Sequence, residues 1–186
     1  MAELHRPVRT ILVVDDSRTN LNVIGKRLTH FGYLTALADN GEEALDLIAA
    51  RGFDLVLLDL VMPGMNGLQV LTELRSRLET VDLPVIVVTG RSDPEAAVQA
   101  LAAGADDHVA KPFDFDVLHA RIERTLARAR RLSDLKRSNA ALDARIAARA
   151  MELGEARAEL ADIRADRQRL ILSIQALHDE VERLRA

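Results

Sequence analysis

Cysteine and tryptophan are both absent from this 186-residue chain. Without cysteine there is no disulfide framework, no thiolate zinc site and no thiol nucleophile, and the composition suits a reducing compartment. Aromatic residues make up only 3% of the chain, so any core must be aliphatic. Excess positive charge is missing too: the formal net charge is -4, and no basic patch invites a nucleic acid or an anionic membrane surface. No apolar run approaches the roughly 20 residues of a membrane span, and Met1 to Arg9 lacks the apolar centre of a signal peptide. These absences predict a soluble, cytoplasmic protein with neither nucleic acid nor membrane as a partner.

What the chain does contain is a repeated pattern of short apolar runs that end in polar residues. Ile11-Leu12-Val13-Val14 runs straight into Asp15-Asp16, which reads as a buried parallel strand opening into a polar crevice, the usual ligand position in open α/β sheets. A helix from Ser17, a plausible N-cap, to about Phe31 follows, with Leu21, Ile24, Leu28 and Phe31 at helical spacing. Tyr33 to Ala38 is a second strand, and Asn40-Gly41 opens a second helix. Phe53 to Leu58 repeats the opening pattern and ends in Asp59. The loop Met62-Pro63-Gly64-Met65-Asn66-Gly67 leads to a helix over about 68 to 78. A fourth strand, Leu83 to Val88, ends in Thr89-Gly90, an alanine-rich helix covers about 94 to 103, and a fifth strand, Asp107 to Ala110, ends in Lys111-Pro112. The Lys111-Pro112 bond is a candidate for the cis isomer. Met62 and Met65 read as loop packing. His5, His30, His119 and His178 have no metal-ligand spacing and read as surface or interface residues.

Five strands alternating with five helices predict a doubly wound α/β domain with a five-stranded parallel sheet. That topology gathers Asp15, Asp16, Asp59, Thr89 and Lys111 from four strand ends onto one edge. Three carboxylates held close repel one another and imply a hard divalent cation such as Mg²⁺, with Lys111 as a further positive charge and Thr89 as a hydroxyl donor. The pocket suits a tetrahedral oxyanion delivered to a carboxylate.

From about Thr10 to about Ala129, the acidic pair, the strand-end Asp59, the Met-Pro-Gly loop, Thr89-Gly90 and Lys111-Pro112 together resemble the receiver domain of two-component response regulators. The resemblance implies a flavodoxin-like fold with no separate output enzyme. It implies that Asp59 accepts a phosphoryl group from a sensor histidine kinase or phosphotransfer protein. Asp15, Asp16, Asp59 and the backbone carbonyl of Val61 would hold Mg²⁺, with Asp16 the direct ligand of the acidic pair. Thr89 and Lys111 would grip the phosphoryl oxygens. In the family Thr89 moves on phosphorylation and an aromatic residue on the fifth strand turns inward; here that position is His108, which implies weaker or pH-dependent coupling. Val61 and Arg91 flank the site and would tune hydrolysis. An aspartyl-nucleophile phosphatase of the haloacid-dehalogenase type is the competing enzyme reading, but it would want Asp-x-Asp at the first strand end.

The last third is a different kind of sequence. Stepping 3 then 4 residues from Leu132 gives Leu135, Asn139, Leu142, Ile146, Arg149, Leu153, Ala156, Leu160, Ile163, Arg167, Leu170, Ile174, Leu177, Val181 and Leu184, a sustained heptad that demands a partner helix. Ile146, Ile174 and Val181 at a with leucines at d favour two strands, and Asn139 at a favours parallel, in-register pairing. In a parallel homodimer Glu152 meets Arg157, Glu159 meets Arg164 and Glu180 meets Arg185 of the second copy. Arg149 and Arg167 weaken the seam in its middle, and Gly154 adds slack. The expected organisation is an N-terminal extension over 1–9, a receiver over 10–130 and, over 131–186, a coiled-coil helix continuous with the last receiver helix. The tail also resembles the signalling helices that join receivers to cyclic-dinucleotide enzymes or kinases. Its output is either the coil itself acting on a downstream protein or an effector domain outside this chain; a constitutive dimerisation scaffold is the third reading.

Overall fold

The computed structural model describes residues 8–90 and 94–185, the side chains of 180, 182, 184 and 185 excepted. Readings made above for His5, Arg91 and the start of the N-terminal extension lie outside the described residues, as do those for the Glu180, Leu184 and Arg185 side chains. Among the described residues five strands and five helices alternate: β1 (Thr10–Val14), α1 (Arg18–His30), β2 (Leu34–Ala38), α2 (Gly41–Ala50), β3 (Leu55–Asp59), α3 (Gly67–Ser76), β4 (Val85–Gly90), α4 (Pro94–Ala102), β5 (Asp107–Lys111) and α5 (Phe115–Arg185). All strand pairs are parallel, in the order β2-β1-β3-β4-β5.

The three central strands carry unbroken apolar runs, Ile11 to Val14, Leu55 to Leu58 and Val85 to Val88, because both faces of the sheet are covered. Alternate residues of β1, β3 and β4 feed two separate cores. Leu12, Val14, Val56, Leu58, Val85 and Val87 pack on one face with Ala44 of α2, Val70, Leu71 and Leu74 of α3 and Ala100 of α4. Ile11, Val13, Leu55, Leu57, Ile86 and Val88 pack on the other with Leu21, Ile24 and Leu28 of α1 and Leu118 and Ile122 of α5. Met62 is buried in the first core and Met65 packs against it, in their expected packing roles.

Helix starts follow the capping residues. The Ser17 hydroxyl accepts from the Asn20 N–H at 3.4 Å, and Asn40 accepts from the Glu43 N–H at 2.9 Å. Asn66 and Gln69 form a reciprocal capping box, both bonds at 2.9 Å, which fixes the chain just after the loop beyond Asp59. Asp114 takes the N–H groups of Asp116 and Val117. Element edges differ modestly from expectation. Strand β3 starts at Leu55, since Asp54 turns aside to bind Arg9 and the Thr10 N–H. Strand β5 runs one residue further, pairing Lys111 with Gly90. The Lys111–Pro112 peptide is cis. His119 is not simply a surface residue: it stacks on Phe31 with ring centroids 4.3 Å apart, and its Nδ1 lies 3.1 Å from the Tyr33 hydroxyl.

The chain divides into two compact units, one ending at Ser133 and the other beginning at Asp134. The second unit is helical through Gly154 and onward to Arg185. Its seam residues Leu135, Leu142, Ile146, Leu153, Leu160, Ile163, Leu170, Ile174, Leu177 and Val181 are all exposed. Ion pairs within it include local ones three residues apart, such as Arg149 to Glu152 at 2.5 Å, whose helical support is slight. No helix among the described residues is long and apolar enough to cross a membrane.

Candidate functional site

The register of the sheet brings the chemistry together. Val14 lies beside Leu58, Asp59 beside Val88, Thr89 beside Ala110 and Gly90 beside Lys111. The C-terminal ends of β1, β3, β4 and β5 therefore carry Asp15, Asp59, Thr89 and Lys111 on one edge of the domain. Asp15, Asp59 and Thr89 are buried, at 2%, 6% and 2% exposure, whereas Asp16 is exposed.

Lys111 ties the acids together. Its Nζ donates to Asp15 Oδ2 at 2.7 Å and to Asp59 Oδ2 at 2.5 Å. Burial draws the Lys111 ammonium down, but the bonds and charges of the two carboxylates outweigh it and the net shift is upward, so the group stays charged. For Asp59 burial is the largest influence and raises its pKa; Lys111 and the Val61 N–H, which donates to Asp59 Oδ1 at 3.2 Å, pull against it, and the Asp15 charge adds to the rise. A carboxylate so placed is poorly solvated and more basic than one in water, which favours attack on an electrophile.

Asp15, Asp16 and Asp59 each offer an oxygen within 4.8 Å of the others. Three carboxylates against one ammonium leave an uncompensated double negative charge, and the donors are hard oxygens, which fits a divalent cation of the Mg²⁺ type. Thr89 is buried near the C-terminal end of β4. Val61 follows Asp59 by two residues with its side chain exposed. His108 is partly exposed on β5 opposite Val87, and its N–H donates to Asp107, a residue also gripped through both oxygens by Arg121. Asn139 lies in the other unit. One contributor escaped the sequence reading: Asn20 of α1, whose amide Nδ2 lies 3.0 and 3.2 Å from the two oxygens of Asp15.

The model of the response regulator receiver domain matches residues 11–123. The chain belongs to that family. It contains a receiver domain of two-component systems, and receiver domains bind Mg²⁺ at an acidic pocket of the kind that Asp15, Asp16 and Asp59 form. The response regulator MprA of Mycolicibacterium vanbaalenii is 46% identical over 122 residues, 66% of this chain and 52% of that protein. The transcriptional regulatory protein ZraR of Escherichia coli O157:H7 is 42% identical over 117 residues, 63% of this chain and 26% of that one. The crystal structure of the receiver domain of NtrX from Brucella abortus is 35% identical with a TM-score of 0.60, covering 63% of this chain and 98% of that domain. The chain spans about half the length of MprA, and the matched region is the receiver.

Proposed function

We propose that this receiver takes a phosphoryl group on Asp59 from a histidine kinase or phosphotransfer protein and that the modified domain biases a parallel, homodimeric coiled coil acting on a downstream protein. The observation that carries the reading is the Lys111 ammonium bridging buried Asp59 and Asp15 beside the exposed carboxylate of Asp16. An Asp59 oxygen attacks the phosphorus, the N–P bond of the donor phosphohistidine breaks, and the imidazole leaves with the bonding electrons and picks up a proton. Asp16, Asp59 and the Val61 carbonyl would hold Mg²⁺ directly, with Asp15 adding negative charge beside them, and the ion would supply neutralisation of the charge on the transferring oxygens. Lys111 contributes a fixed positive charge at the same place, and the Thr89 hydroxyl donates to an oxygen of the bound phosphoryl group. Positioning and charge do nearly all the work. Incubation with Mg²⁺ and acetyl phosphate, followed by peptide mass analysis, is expected to place one acid-stable, hydroxylamine-sensitive phosphate on Asp59.

The coil is the domain over 131–186, and the receiver that over 10–130. Its supporting observation is the exposed apolar seam, which in one copy alone leaves ten large side chains in water. A second copy, in parallel register, covers them and pairs Glu152 with Arg157 and Glu159 with Arg164. Sedimentation equilibrium is expected to return twice the 20.5 kDa protomer mass, and the double variant Leu142→Glu, Leu170→Glu a single one. A monomeric wild type at tens of micromolar would remove the coil from the reading.

His108 at the switch position is expected to weaken the link from phosphate to dimer. Dimer dissociation measured with and without phosphorylation at pH 6 and pH 8 should change more, and less pH-dependently, in His108→Phe than in the wild type; identical behaviour of the two removes His108 from the switch.

A further inference from the structure

Asp15 is the most fully bonded carboxylate of the site. Its Oδ1 accepts from the Ser17 N–H at 2.9 Å and from Asn20 Nδ2 at 3.0 Å; its Oδ2 accepts from the same Nδ2 at 3.2 Å and from Lys111 Nζ at 2.7 Å. A carboxylate has about four acceptor sites, so Asp15 has none to spare. Asp59 keeps more capacity, with only the Val61 N–H on Oδ1 and Lys111 on Oδ2. Asp16 is exposed and has no hydrogen-bond partner among the described residues. The three acids thus differ in kind: one is held, two are open.

Asn20 is an odd choice for its place in the helix. It is the third residue after the Ser17 cap, where a capping box puts Glu or Gln so that its side-chain oxygen takes the cap's own N–H. Here that N–H goes to Asp15, and no acidic residue occupies the first turn of α1. Asparagine is a poor helix former and competes with the backbone. Its amide points backward out of the helix, nitrogen toward the carboxylate; the flipped amide would set oxygen against oxygen.

We propose that Asn20 is a positioning residue for this site: its amide pins Asp15 so that Asp15 retains Lys111 and leaves Asp16 and Asp59 open to the cation. The inference rests on the metal-dependent phosphoryl reading above, and it adds a division of labour among the three acids. Without the amide, Asp15 is held only by one backbone N–H and Lys111, and its carboxylate can rotate into the space the cation needs. Groups that orient ligands from behind typically change metal affinity or activity by about 10–100-fold.

The test compares full-length wild type, Asn20→Ala and Asn20→Gln. Alanine favours the helix and so folds, but cannot donate; glutamine keeps the donor on a longer arm. Mg²⁺ is titrated calorimetrically, melting is recorded in EDTA, and labelling from acetyl phosphate is followed at saturating Mg²⁺. The expected result is a roughly tenfold or greater rise in the Mg²⁺ dissociation constant for Asn20→Ala, partial recovery in Asn20→Gln, and a cooperative melt in EDTA for both variants, lowered by a few degrees at most in Asn20→Ala by the loss of a donor to the buried Asp15. Label at saturation still reaches Asp59. An unchanged dissociation constant in Asn20→Ala overturns the proposal, and so does equal impairment of the two variants, which marks a role in filling space. A wild type that neither binds Mg²⁺ nor takes label defeats the phosphoryl reading itself, a different outcome from either.

Discussion

Asp59→Asn is expected to stop phosphoryl incorporation from acetyl phosphate, lowering the initial rate by roughly a thousandfold or more, because the amide removes the nucleophile while keeping its shape. The assignment to Asp59 rather than its neighbours follows from the hydrogen bonds. All four acceptor sites of Asp15 are taken, and Asp16 is exposed and well solvated, so its oxygens are weaker nucleophiles. Asp59 is buried, raised in basicity by that burial, in contact with a cation that can follow charge onto the transferred group, and keeps the acceptor capacity that Asp15 lacks. Labelling of Asp59→Asn at the wild-type rate would sink the functional reading. A slow residual label that moves to Asp16 would leave it intact.

The same substitution has a second consequence, of opposite sign, for stability. The folded-state pKa of Asp59 lies above its ordinary value of 3.8, with burial as the main cause. The folded state therefore binds the proton more readily than the unfolded chain, and stability declines as pH rises from about 4 through the folded pKa. Asparagine escapes that decline. In EDTA at pH 7, Asp59→Asn should melt above the wild type by a few degrees, the gap should close as pH falls toward 4, and Mg²⁺ should narrow it by stabilising the wild type. In the wild type Lys111 does not add to this decline, since its raised pKa keeps it charged across the scanned range. Calorimetric scans over pH 4–8 read all three effects.

Much of this edge was legible in the chain because a buried parallel strand writes itself plainly: Ile11 to Val14, Leu55 to Leu58 and Val85 to Val88 are apolar at every position, and the polar residue that ends each run marks the crevice. Asp15, Asp59 and Thr89 follow from that rule alone. Strand β2 was legible to within one residue at its start, although it is an edge strand whose Leu34 is exposed. The start of β3 was not, since Asp54 looks like strand but is drawn off by Arg9 and Thr10, contacts that span more than 40 residues. Asn20 stayed hidden because an asparagine three residues after a serine cap looks like ordinary first-turn sequence; only the backward turn of its amide toward Asp15 reveals a task. The tail is legible in another way. Its 3-4 spacing predicts a helix with an apolar seam, and the structure shows one helix on which those residues are exposed.

Gly67→Ala is expected to be among the most damaging single-methyl additions in the receiver. The glycine opens α3, and its N–H donates to the Leu60 carbonyl at 3.1 Å, folding the loop after Asp59 back on the end of β3. A Cβ there would collide with the Asp59 carbonyl oxygen and would lie 2.8 Å from Leu60 Cα and 2.9 Å from the Asp59 carbonyl carbon. All three obstacles are backbone, so no rotamer can relieve the clash; either α3 moves outward or the peptide after Asp59 shifts. Overpacking commonly costs about 1–3 kcal/mol, and a contact that only backbone movement can relieve belongs at or above the top of that range. For a domain of this size that is a fall in the melting temperature of about 10 °C. Gly52→Ala is the internal control, since nothing lies within 4 Å of the Cβ it would add, and it should melt within a degree or two of wild type. The clash falls on the peptide that carries Asp59, so the folded fraction of Gly67→Ala should also label more slowly at saturating Mg²⁺. A variant that melts with the wild type would mean the loop yields freely at Asp59, and the rigid placement of the nucleophile would have to be sought elsewhere.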